Sequence, residues 1–169
     1  MCGILGFLDP SGELTLEDAR RMADSLAHRG PDASGLWQED SVCLGHRRLS
    51  ILDLSTASNQ PFRSRDQDYV MVYNGEIYNF RKLAHELDLS CRTQSDTEVL
   101  LEGFVRLGPS FLGRLRGMFS LAIYRRSRRQ LWLCRDRLGI KPLYYAWQQG
   151  RFIFASELKA FRALGGKFP

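Results

Sequence analysis

The seven residues MCGILGF (1–7) place a cysteine second in the chain and lead from it into a short apolar segment. Removal of Met1 would give Cys2 a free α-amino group, so that one residue would carry a thiol nucleophile and a base that can accept its proton. The apolar residues 4–8 predict a strand that would hold Cys2 rigidly, and Gly3 and Gly6 leave room near the chain start for a substrate or another backbone. A cysteine at this position is more often incidental, so this interpretation depends on the rest of the chain.

A second candidate feature lies where a predicted strand ends. The strand predicted at 69–73 runs into Asn74, Gly75 and Glu76. A side-chain amide and a backbone N–H at such a point could converge as oxyanion-hole donors. The same Asn-Gly pair is also the strongest short-range signal of a type I′ hairpin turn. From the residues alone, both interpretations remain open.

Hydrophobic periodicity in the rest of the chain predicts a mixture of helices and antiparallel strands, an α+β fold. Two long helices and one weaker helix are predicted at 15–28, 95–107 and 80–87. In both long helices an N-cap residue is followed three positions later by an acidic residue, and these pairs are Thr15 with Asp18 and Ser95 with Glu98. Seven strands are predicted, at 4–8, 42–49, 69–73, 118–124, 131–135, 143–147 and 152–155. The apolar character of these strands is nearly continuous in places, as in FSLAIY (119–124) and RFIFAS (151–156), which indicates strands covered on both faces. The last four strands are separated by short turns, which favours an antiparallel meander.

Length and composition restrict the class of protein. The chain has 169 residues, with 24 Lys and Arg against 19 Asp and Glu, which predicts a single domain over 1–169 with one core. The sequence contains no membrane-helix or signal-peptide pattern, so we expect a cytoplasmic protein with no membrane partner. The arginine cluster at 125–129 lies between two predicted strands, which is typical of a solvated hairpin turn, and we expect no nucleic-acid partner. The four cysteines lack metal-ligand spacing, so we expect neither a metal site nor a disulfide framework.

Eight segments, spread over nearly the whole chain, resemble the glutaminase domain of glutamine-dependent asparagine synthetases. These domains are class II glutamine amidotransferases of the N-terminal nucleophile hydrolase superfamily. The segments are MCGILGF (1–7), HRGPDASG (28–35), GHRRLSILDL (45–54), NGEIYN (74–79), SDTEVLL (95–101), GMFSLAIY (117–124), RDRLGIKPLYY (135–145) and FASELKA (154–160). The resemblance implies a four-layer αββα fold with two stacked, mainly antiparallel sheets. It also implies hydrolysis of L-glutamine to glutamate and ammonia.

The resemblance implies a role for individual residues. Cys2 would attack the side-chain amide carbon of glutamine, and the Asn74 amide with the Gly75 N–H would hold the oxyanion. Arg48 would bind the substrate α-carboxylate, because a planar fork suits a carboxylate, and Asp96 would bind the α-ammonium. The other substrate-binding groups implied are those of Leu49, Ser50, Ile51, Leu52, Asn74, Gly75 and Glu76.

Two of these assignments have an alternative within the sequence. Arg48 has the neighbour Arg47, although the match to the family pattern favours Arg48. Asp96 could instead cap the helix predicted at 95–107. Both functions of this segment are compatible if Ser95 is the cap.

The implied partners are L-glutamine and a synthetase domain or subunit that receives the ammonia. In the resembled family a larger C-terminal domain binds ATP and Mg²⁺. No nucleotide signature occurs in this chain, so we expect no cofactor in it. We expect the chain to be either an excised domain or a short protein that works with a separate partner. The oligomeric state stays open, a homodimer included. Two other functions remain as alternatives: a noncatalytic glutamine-binding regulatory module, and a self-processing peptidase or amidase. The retained Cys2 disfavours the first, and the second would need a propeptide ahead of the nucleophile.

Overall fold

The computed structural model describes residues 1–49 and 58–167. The strands in these residues are β1 Gly3–Leu8, β2 Ala33–Glu39, β3 Val42–Arg48, β4 Phe62–Arg63, β5 Tyr69–Ile77, β6 Gly117–Arg125, β7 Gln130–Arg135, β8 Tyr144–Gln148 and β9 Arg151–Ala155. The α-helices are α1 Leu16–Ser25, α2 Phe80–Glu86, α3 Asp96–Leu107 and α4 Lys159–Arg162, and 3₁₀ helices span Gly108–Arg114 and Gly165–Lys167. The strands form two sheets, in the orders β2-β3-β1-β9-β8 and β4-β5-β6-β7, and all neighbouring strands are antiparallel.

The alternation of side chains along each strand produces four layers. On β1, Leu5 and Phe7 face outward into a core shared with α1 and the C-terminal helices. On β5, Met71 and Tyr73 lie on the outer face of the second sheet, where they pack with residues of α2 and α3. The intervening residues meet in a third core between the sheets, which includes Ile4, Leu44, Val70, Val72, Ala122 and Phe154. The order is therefore helix, sheet, sheet, helix, and the predicted αββα fold is confirmed.

The predicted helix starts are confirmed, with one difference in detail. Thr15 caps α1, and its side chain and that of Asp18 each accept a hydrogen bond from the other's backbone N–H. Ser95 caps α3 by accepting from the N–H of Thr97 at 3.2 Å. Glu98 does not close a second capping box, because its carboxylate accepts instead from the backbone of Arg92 and Thr93. Glu98 thus fixes the loop that precedes α3.

Three features of the sheets differ from the sequence-based expectation. Strands β2 and β4 were not predicted, since β2 is a half-buried strand without clear alternation and β4 has only two residues. The predicted meander of the last four strands is wrong: β6 pairs with β7 in one sheet, and β8 pairs with β9 in the other. Residues 136–143 carry the chain from one sheet to the other.

The Asn74-Gly75 pair does not form a hairpin turn. Strand β5 continues through both residues to Ile77, and the ladder with β6 is unbroken, with Asn74 opposite Ser120 and Gly75 opposite Phe119. A Cβ atom at Gly75 would overlap the backbone of Met118 and Phe119. Glycine is thus required here for the close approach of two strands and not for a turn.

The arginine-rich segment is a turn, as predicted. Strand β6 ends at Arg125 and β7 begins at Gln130. Arg126 pairs with Glu39 at 2.6 Å and Arg129 pairs with Asp40 at 3.1 Å. In the residues that the structure describes, no helix is long and apolar enough to cross a membrane.

The contact between α3 and the following 3₁₀ helix yields a stability prediction. Gly103 faces the fully buried ring of Phe111, and a Cβ atom at position 103 would overlap that ring. Gly103→Ala should therefore lower the free energy of unfolding by about 1–3 kcal/mol, although alanine favours helices. Chemical denaturation monitored by circular dichroism measures this change.

Gly113→Ala is the matched control, because a Cβ atom there meets nothing within 4 Å. Its free energy of unfolding should stay within about 0.5 kcal/mol of the wild-type value. An equal effect of both substitutions would contradict the packing argument.

Candidate active site

A pocket lies at one end of the space between the two sheets. Every second side chain of a strand lies on the same face. Cys2 therefore lies on the same inner face as Ile4 of β1, and His46 and Arg48 lie on the same inner face as Leu44 of β3, but nearer this end of the sandwich. Asn74 and Glu76 continue the inner face of β5 in the same way. The cavity has a volume of about 120 Å³ and is lined by these residues and by Met1, Leu49, Ser58, Gln60, Tyr73, Gly75, Ser95, Asp96, Thr97, Met118 and Lys141. The apolar sandwich thus ends in a polar chamber.

Cys2 is held from two sides. Its Sγ lies 3.4 Å from the N–H of Leu49, which donates to it, and 3.6 Å from the carbonyl oxygen of the same residue. Its own carbonyl oxygen accepts from Nε of Arg29 at 2.9 Å. The next residue, Gly3, is paired with Arg47 in the sheet. The thiol therefore has a fixed position at the pocket wall.

Arg29 is held in turn by Glu157. The Nη1 of this buried guanidinium donates to Glu157 at 2.8 Å, and His28 and Lys159 lie 3.1 and 3.3 Å from the same carboxylate. Burial alone would raise the pKa of Glu157, but the hydrogen bonds from Arg29, His28 and Lys159 together lower it to about 2. An ionised Glu157 thus supports the guanidinium that fixes the Cys2 backbone.

The predicted oxyanion donors lie in the pocket with Cys2. Asn74 is only 2% exposed, and its Nδ2 has no hydrogen-bond partner among residues 1–49 and 58–167. Most buried donors in proteins have a partner. The site therefore contains a buried amide donor that is available to a ligand oxygen.

Asp96 uses one carboxylate oxygen to hold its place. Oδ2 accepts from the Tyr73 hydroxyl at 2.7 Å and from the N–H of Ile77 at 2.9 Å, and Oδ1 lies 3.5 Å from the Ser95 hydroxyl. Burial raises the pKa of Asp96, against the hydrogen bonds from Ile77 and Tyr73 that lower it. Burial and Asp96 also raise the pKa of Tyr73 well above its usual value, so the hydroxyl remains a donor. Asp96 is therefore held in the pocket wall by Tyr73 and Ile77, and the cap of α3 is Ser95.

The two arginines of β3 point to opposite faces of the sheet. Arg48 lines the pocket and donates to Oδ1 of Asn59 at 2.6 Å, whereas Arg47 faces the other side and lies 3.9 Å from Asp24.

His46 crosses the gap between the sheets, with Nε2 3.1 Å from the carbonyl oxygen of Tyr73. Burial, with a smaller effect of Arg48, lowers the pKa of His46 to about 3. This imidazole is neutral at pH 7 and, because a carbonyl only accepts, it carries a proton on Nε2.

The structure brings together Cys2, Arg48, Leu49, Asn74, Gly75, Glu76 and Asp96 of the predicted site. Ser50, Ile51 and Leu52, also predicted to bind substrate, lie outside the described residues. Sequence reasoning missed Arg29, His46 and Lys141. The available signal was the HRGPD, GHRR and GIKP segments in which these residues lie. The Arg, Lys and Tyr residues of the segment at 135–145 favour structural or interdomain contacts from sequence alone, whereas the structure places Lys141 at the pocket.

The described part of the chain contains no group of three or more His, Cys, Asp or Glu side chains placed to hold a metal ion. Cys2, Cys43, Cys91 and Cys134 are all free thiols. Burial raises the pKa of Cys43 to about 12, so this thiol is not ionised near neutral pH.

Comparison with known proteins agrees with this geometry. A family model described as a glutamine amidotransferase domain matches residues 1–167. The glutamine-hydrolyzing asparagine synthetase 3 of Bacillus subtilis is 38% identical over 170 residues, which cover 96% of this chain and 28% of that protein. The amidase chry2 of Gibberella zeae is 38% identical over 180 residues, which cover 98% of this chain and 27% of that protein. The chain thus spans less than a third of the length of these two relatives.

The fold also matches a solved structure. The glutamine phosphoribosylpyrophosphate amidotransferase of B. subtilis, in complex with ADP and GMP, aligns with a TM-score of 0.82 and 23% identity. The alignment covers 97% of this chain and 44% of that one. At this level of identity, the match establishes the fold alone.

The support of Arg29 by Glu157 yields a pH-dependent prediction. Glu157→Gln should lower the free energy of unfolding by about 1–3 kcal/mol at pH 7, because it removes a charged acceptor from a buried guanidinium. The pKa of Glu157 is lower in the folded chain than its ordinary value of 4.5. The stability difference from wild type should thus be complete above pH 4.5 and shrink as the pH falls toward 2. Denaturation across this range measures it.

Glu17→Gln serves as the control, since Glu17 pairs with Arg20 on the exposed surface of α1. This change should alter stability by no more than about 0.5 kcal/mol at any pH in the range. A Glu157→Gln effect that does not vary with pH would contradict the assigned ionisation.

Proposed function

The chain belongs to the glutamine amidotransferase domain family, and we propose that it hydrolyses the side-chain amide of L-glutamine through the thiol of Cys2. The ammonia released supplies an amidation reaction in a synthetase domain or subunit. The acceptor in that reaction is a carboxylate of the asparagine-synthetase type.

The observation that carries this proposal is the unpartnered amide of Asn74 in the pocket of Cys2. A buried donor without a partner costs about 1–3 kcal/mol of stability. A ligand oxygen that accepts from Nδ2 removes this cost while it is bound. The oxygen that benefits most is one that gains negative charge during reaction, because a preorganised donor in a water-poor site stabilises developing charge strongly.

The proposed reaction is acyl transfer through a thioester. The thiol proton of Cys2 moves to its own α-amine, and Sγ forms a bond to the amide carbon of glutamine. The carbonyl oxygen becomes an oxyanion held by Asn74 and the Gly75 N–H. As the intermediate collapses, the C–N bond breaks and the α-ammonium returns the proton to the leaving nitrogen, which departs as ammonia. Water then adds to the thioester, releases glutamate and restores the thiol.

Substrate recognition in this proposal uses the two charged ends of glutamine. The fork of Arg48 binds the α-carboxylate, and Oδ1 of Asp96 binds the α-ammonium. Backbone groups of Leu49, Ser50, Ile51, Leu52 and Glu76 complete the pocket. Asparagine, one methylene shorter, could not place its amide carbon at Sγ while both charged ends stay bound.

The length of the relatives supports the proposal of an ammonia-accepting partner. The chain covers 28% of a protein named as a glutamine-hydrolyzing asparagine synthetase and 27% of one named as an amidase. The rest of such a protein would hold the acceptor chemistry, with ATP and Mg²⁺ bound there and not in this chain.

Met1 must be absent for this mechanism. Met1 is 54% exposed and is one of the residues that line the pocket. While Met1 is attached, the nitrogen of Cys2 is part of a peptide bond and cannot act as a base. Removal of Met1 both frees the α-amine and opens the pocket.

The first test compares glutamate release from L-glutamine by purified protein whose loss of Met1 has been confirmed by intact mass. Cys2→Ala should abolish the release, since no other group in the proposal can form the thioester. Asn74→Ala should lower kcat by about 10²- to 10³-fold, the usual cost of one lost oxyanion donor. A coupled glutamate assay measures both rates.

A protein that retains Met1 is the control, and it should be inactive. Normal turnover by that form would contradict the α-amine mechanism. Trimmed wild-type protein that binds glutamine without releasing glutamate would contradict hydrolysis by this chain and favour the regulatory module.

The contacts of Asp96 predict a separate effect on substrate binding. Tyr73→Phe removes a donor to the Asp96 carboxylate and should raise KM for glutamine about 5- to 20-fold, the equivalent of about 1–2 kcal/mol, with kcat within about twofold. The increase should be larger toward acidic pH, because Asp96, whose pKa burial already raises, would protonate more readily without this donor. Steady-state kinetics across pH measures the effect.

Tyr69→Phe is the matched control. Tyr69 lies on the same strand and the same face as Tyr73, and its ring packs against Phe104. Its KM should equal that of the wild type. A KM in Tyr73→Phe that equals the wild-type value would contradict the proposed positioning of Asp96.

A further inference from the structure

The turn that follows β7 is organised around one carboxylate. Oδ1 of Asp136 accepts from the N–H groups of Leu138 and Ile140 at 3.1 and 2.9 Å. Oδ2 accepts from Lys141 at 3.0 Å and from Phe119 on β6 at 3.2 Å. Burial would raise the pKa of Asp136, but these four backbone hydrogen bonds lower it.

Arg135 fixes the same turn from the other side. Its Nε donates to the carbonyl oxygen of Lys141 at 2.8 Å. Both backbone polar groups of Lys141 are therefore bound, its N–H to Asp136 and its carbonyl to Arg135. The position of Lys141 against the start of β6 is set by the fold.

Lys141 lines the pocket that contains Cys2. The residue is only 7% exposed, and the hydrogen bonds that it makes with residues 1–49 and 58–167 are those of its backbone N–H and carbonyl oxygen. A cation with little access to water is costly unless an anion or acceptor compensates it. Such a cation at a pocket wall therefore indicates that an anion occupies the pocket during function.

The location of Lys141 selects among the anions of the proposed reaction. Its N–H shares Oδ2 of Asp136 with the N–H of Phe119, and Phe119 is the residue opposite Gly75 in the ladder. Lys141 thus lies beside the strand pair that carries the oxyanion donors. Arg48, proposed for the α-carboxylate, enters the pocket from β3 in the other sheet.

We propose that the Lys141 ammonium is the counter-charge for the anions that form at the reacting centre: the Cys2 thiolate, the tetrahedral oxyanion and the γ-carboxylate of the product glutamate. This inference rests on the proposed function and adds a residue to it. No proton passes through Lys141. Its role is electrostatic, so a cation of similar reach can replace it and a neutral side chain cannot.

The pH behaviour of Cys2 reflects all charged and titratable groups around the pocket. These are the α-amine of Cys2 itself, His46 and Arg48 from β3, Tyr73 and Glu76 from β5, Asp96 from α3, and Lys141. His46 and Tyr73 are neutral near pH 7, so Arg48, Lys141 and the protonated form of the α-amine are the cations that oppose Glu76 and Asp96. Loss of Lys141 shifts this balance toward negative charge, which disfavours formation of a thiolate.

The test compares Lys141→Met, Lys141→Arg and Lys82→Met in protein freed of Met1. Lys82, on the exposed surface of α2, provides the same loss of charge away from the pocket. Alkylation of Cys2 by iodoacetamide is followed across pH by peptide mass spectrometry, and glutamate release is measured in parallel. Thermal unfolding shows that each variant is folded.

In Lys141→Met, the pH of half-maximal Cys2 alkylation should rise by about one pH unit, and kcat/KM should fall about 10- to 100-fold, mainly through kcat. Lys141→Arg should recover most of both effects, and Lys82→Met should match the wild type. An unchanged alkylation profile together with an unchanged kcat would overturn the proposal. A rise in KM without a change in kcat or in the alkylation profile would overturn the proposal and indicate that Lys141 binds the α-carboxylate of the substrate.

Two further outcomes separate this inference from others. If Glu76→Gln restores wild-type alkylation to Lys141→Met, Lys141 only neutralises Glu76 and the proposal fails. If wild-type protein releases no glutamate but Lys141→Met still shifts the alkylation profile, hydrolysis by this chain fails while the electrostatic effect of Lys141 on Cys2 stands.

Discussion

The pairing registers of two strand pairs are the constraint on which the rest of the structure depends. The register of β1 on β3 places Cys2 on the inner face with His46 and Arg48, and the register of β5 on β6 places Asn74 on the same side as Ser120. Because side chains alternate, a slip of one residue would turn each of these groups to the outside of the sandwich. The apolar residues between the sheets fix both registers, since the same slip would expose them. The core therefore positions the site as well as stabilising the fold.

The polar end of the sandwich has an energetic cost that the apolar end must offset. Most of its buried groups are satisfied: His46 bonds to Tyr73, and Asp96 accepts from Tyr73 and Ile77. Within the part of the chain that the structure describes, the buried side-chain atoms without a hydrogen-bond partner are Asn74 Nδ2, Ser120 Oγ and one guanidinium nitrogen each of Arg29, Arg47 and Arg151. Of these residues, Asn74 lines the pocket, and an unsatisfied donor at such a place is expected where binding or reaction requires it.

Local sequence predicted the helices and most strands, because caps and alternation act over a few residues. It did not predict β2, whose identity comes from pairing with β3, or the separation of β7 from β8, which pairs with β9 in the other sheet. The resemblance supplied the site residues, but the supports of the site were not visible in it. Arg29 and Glu157 are separated by 128 positions, and Lys141 reaches the pocket through a turn whose geometry depends on Asp136. Such contacts arise from tertiary structure, and a single sequence contains no measure of them.

The polar chamber also bears on which group accepts the proton of the thiol. His46 is the histidine at the pocket, but burial holds its pKa at about 3 and its Nε2 donates to a carbonyl, so it is a poor acceptor near pH 7. Asp96 has one oxygen bound by Tyr73 and Ile77, and the other is proposed for the substrate ammonium. An α-amino group ordinarily has a pKa of about 7.7–8.0, which suits a general base at neutral pH. The burial of the neutral His46 thus supports the proposal that the α-amine of Cys2, and not a histidine, accepts the thiol proton.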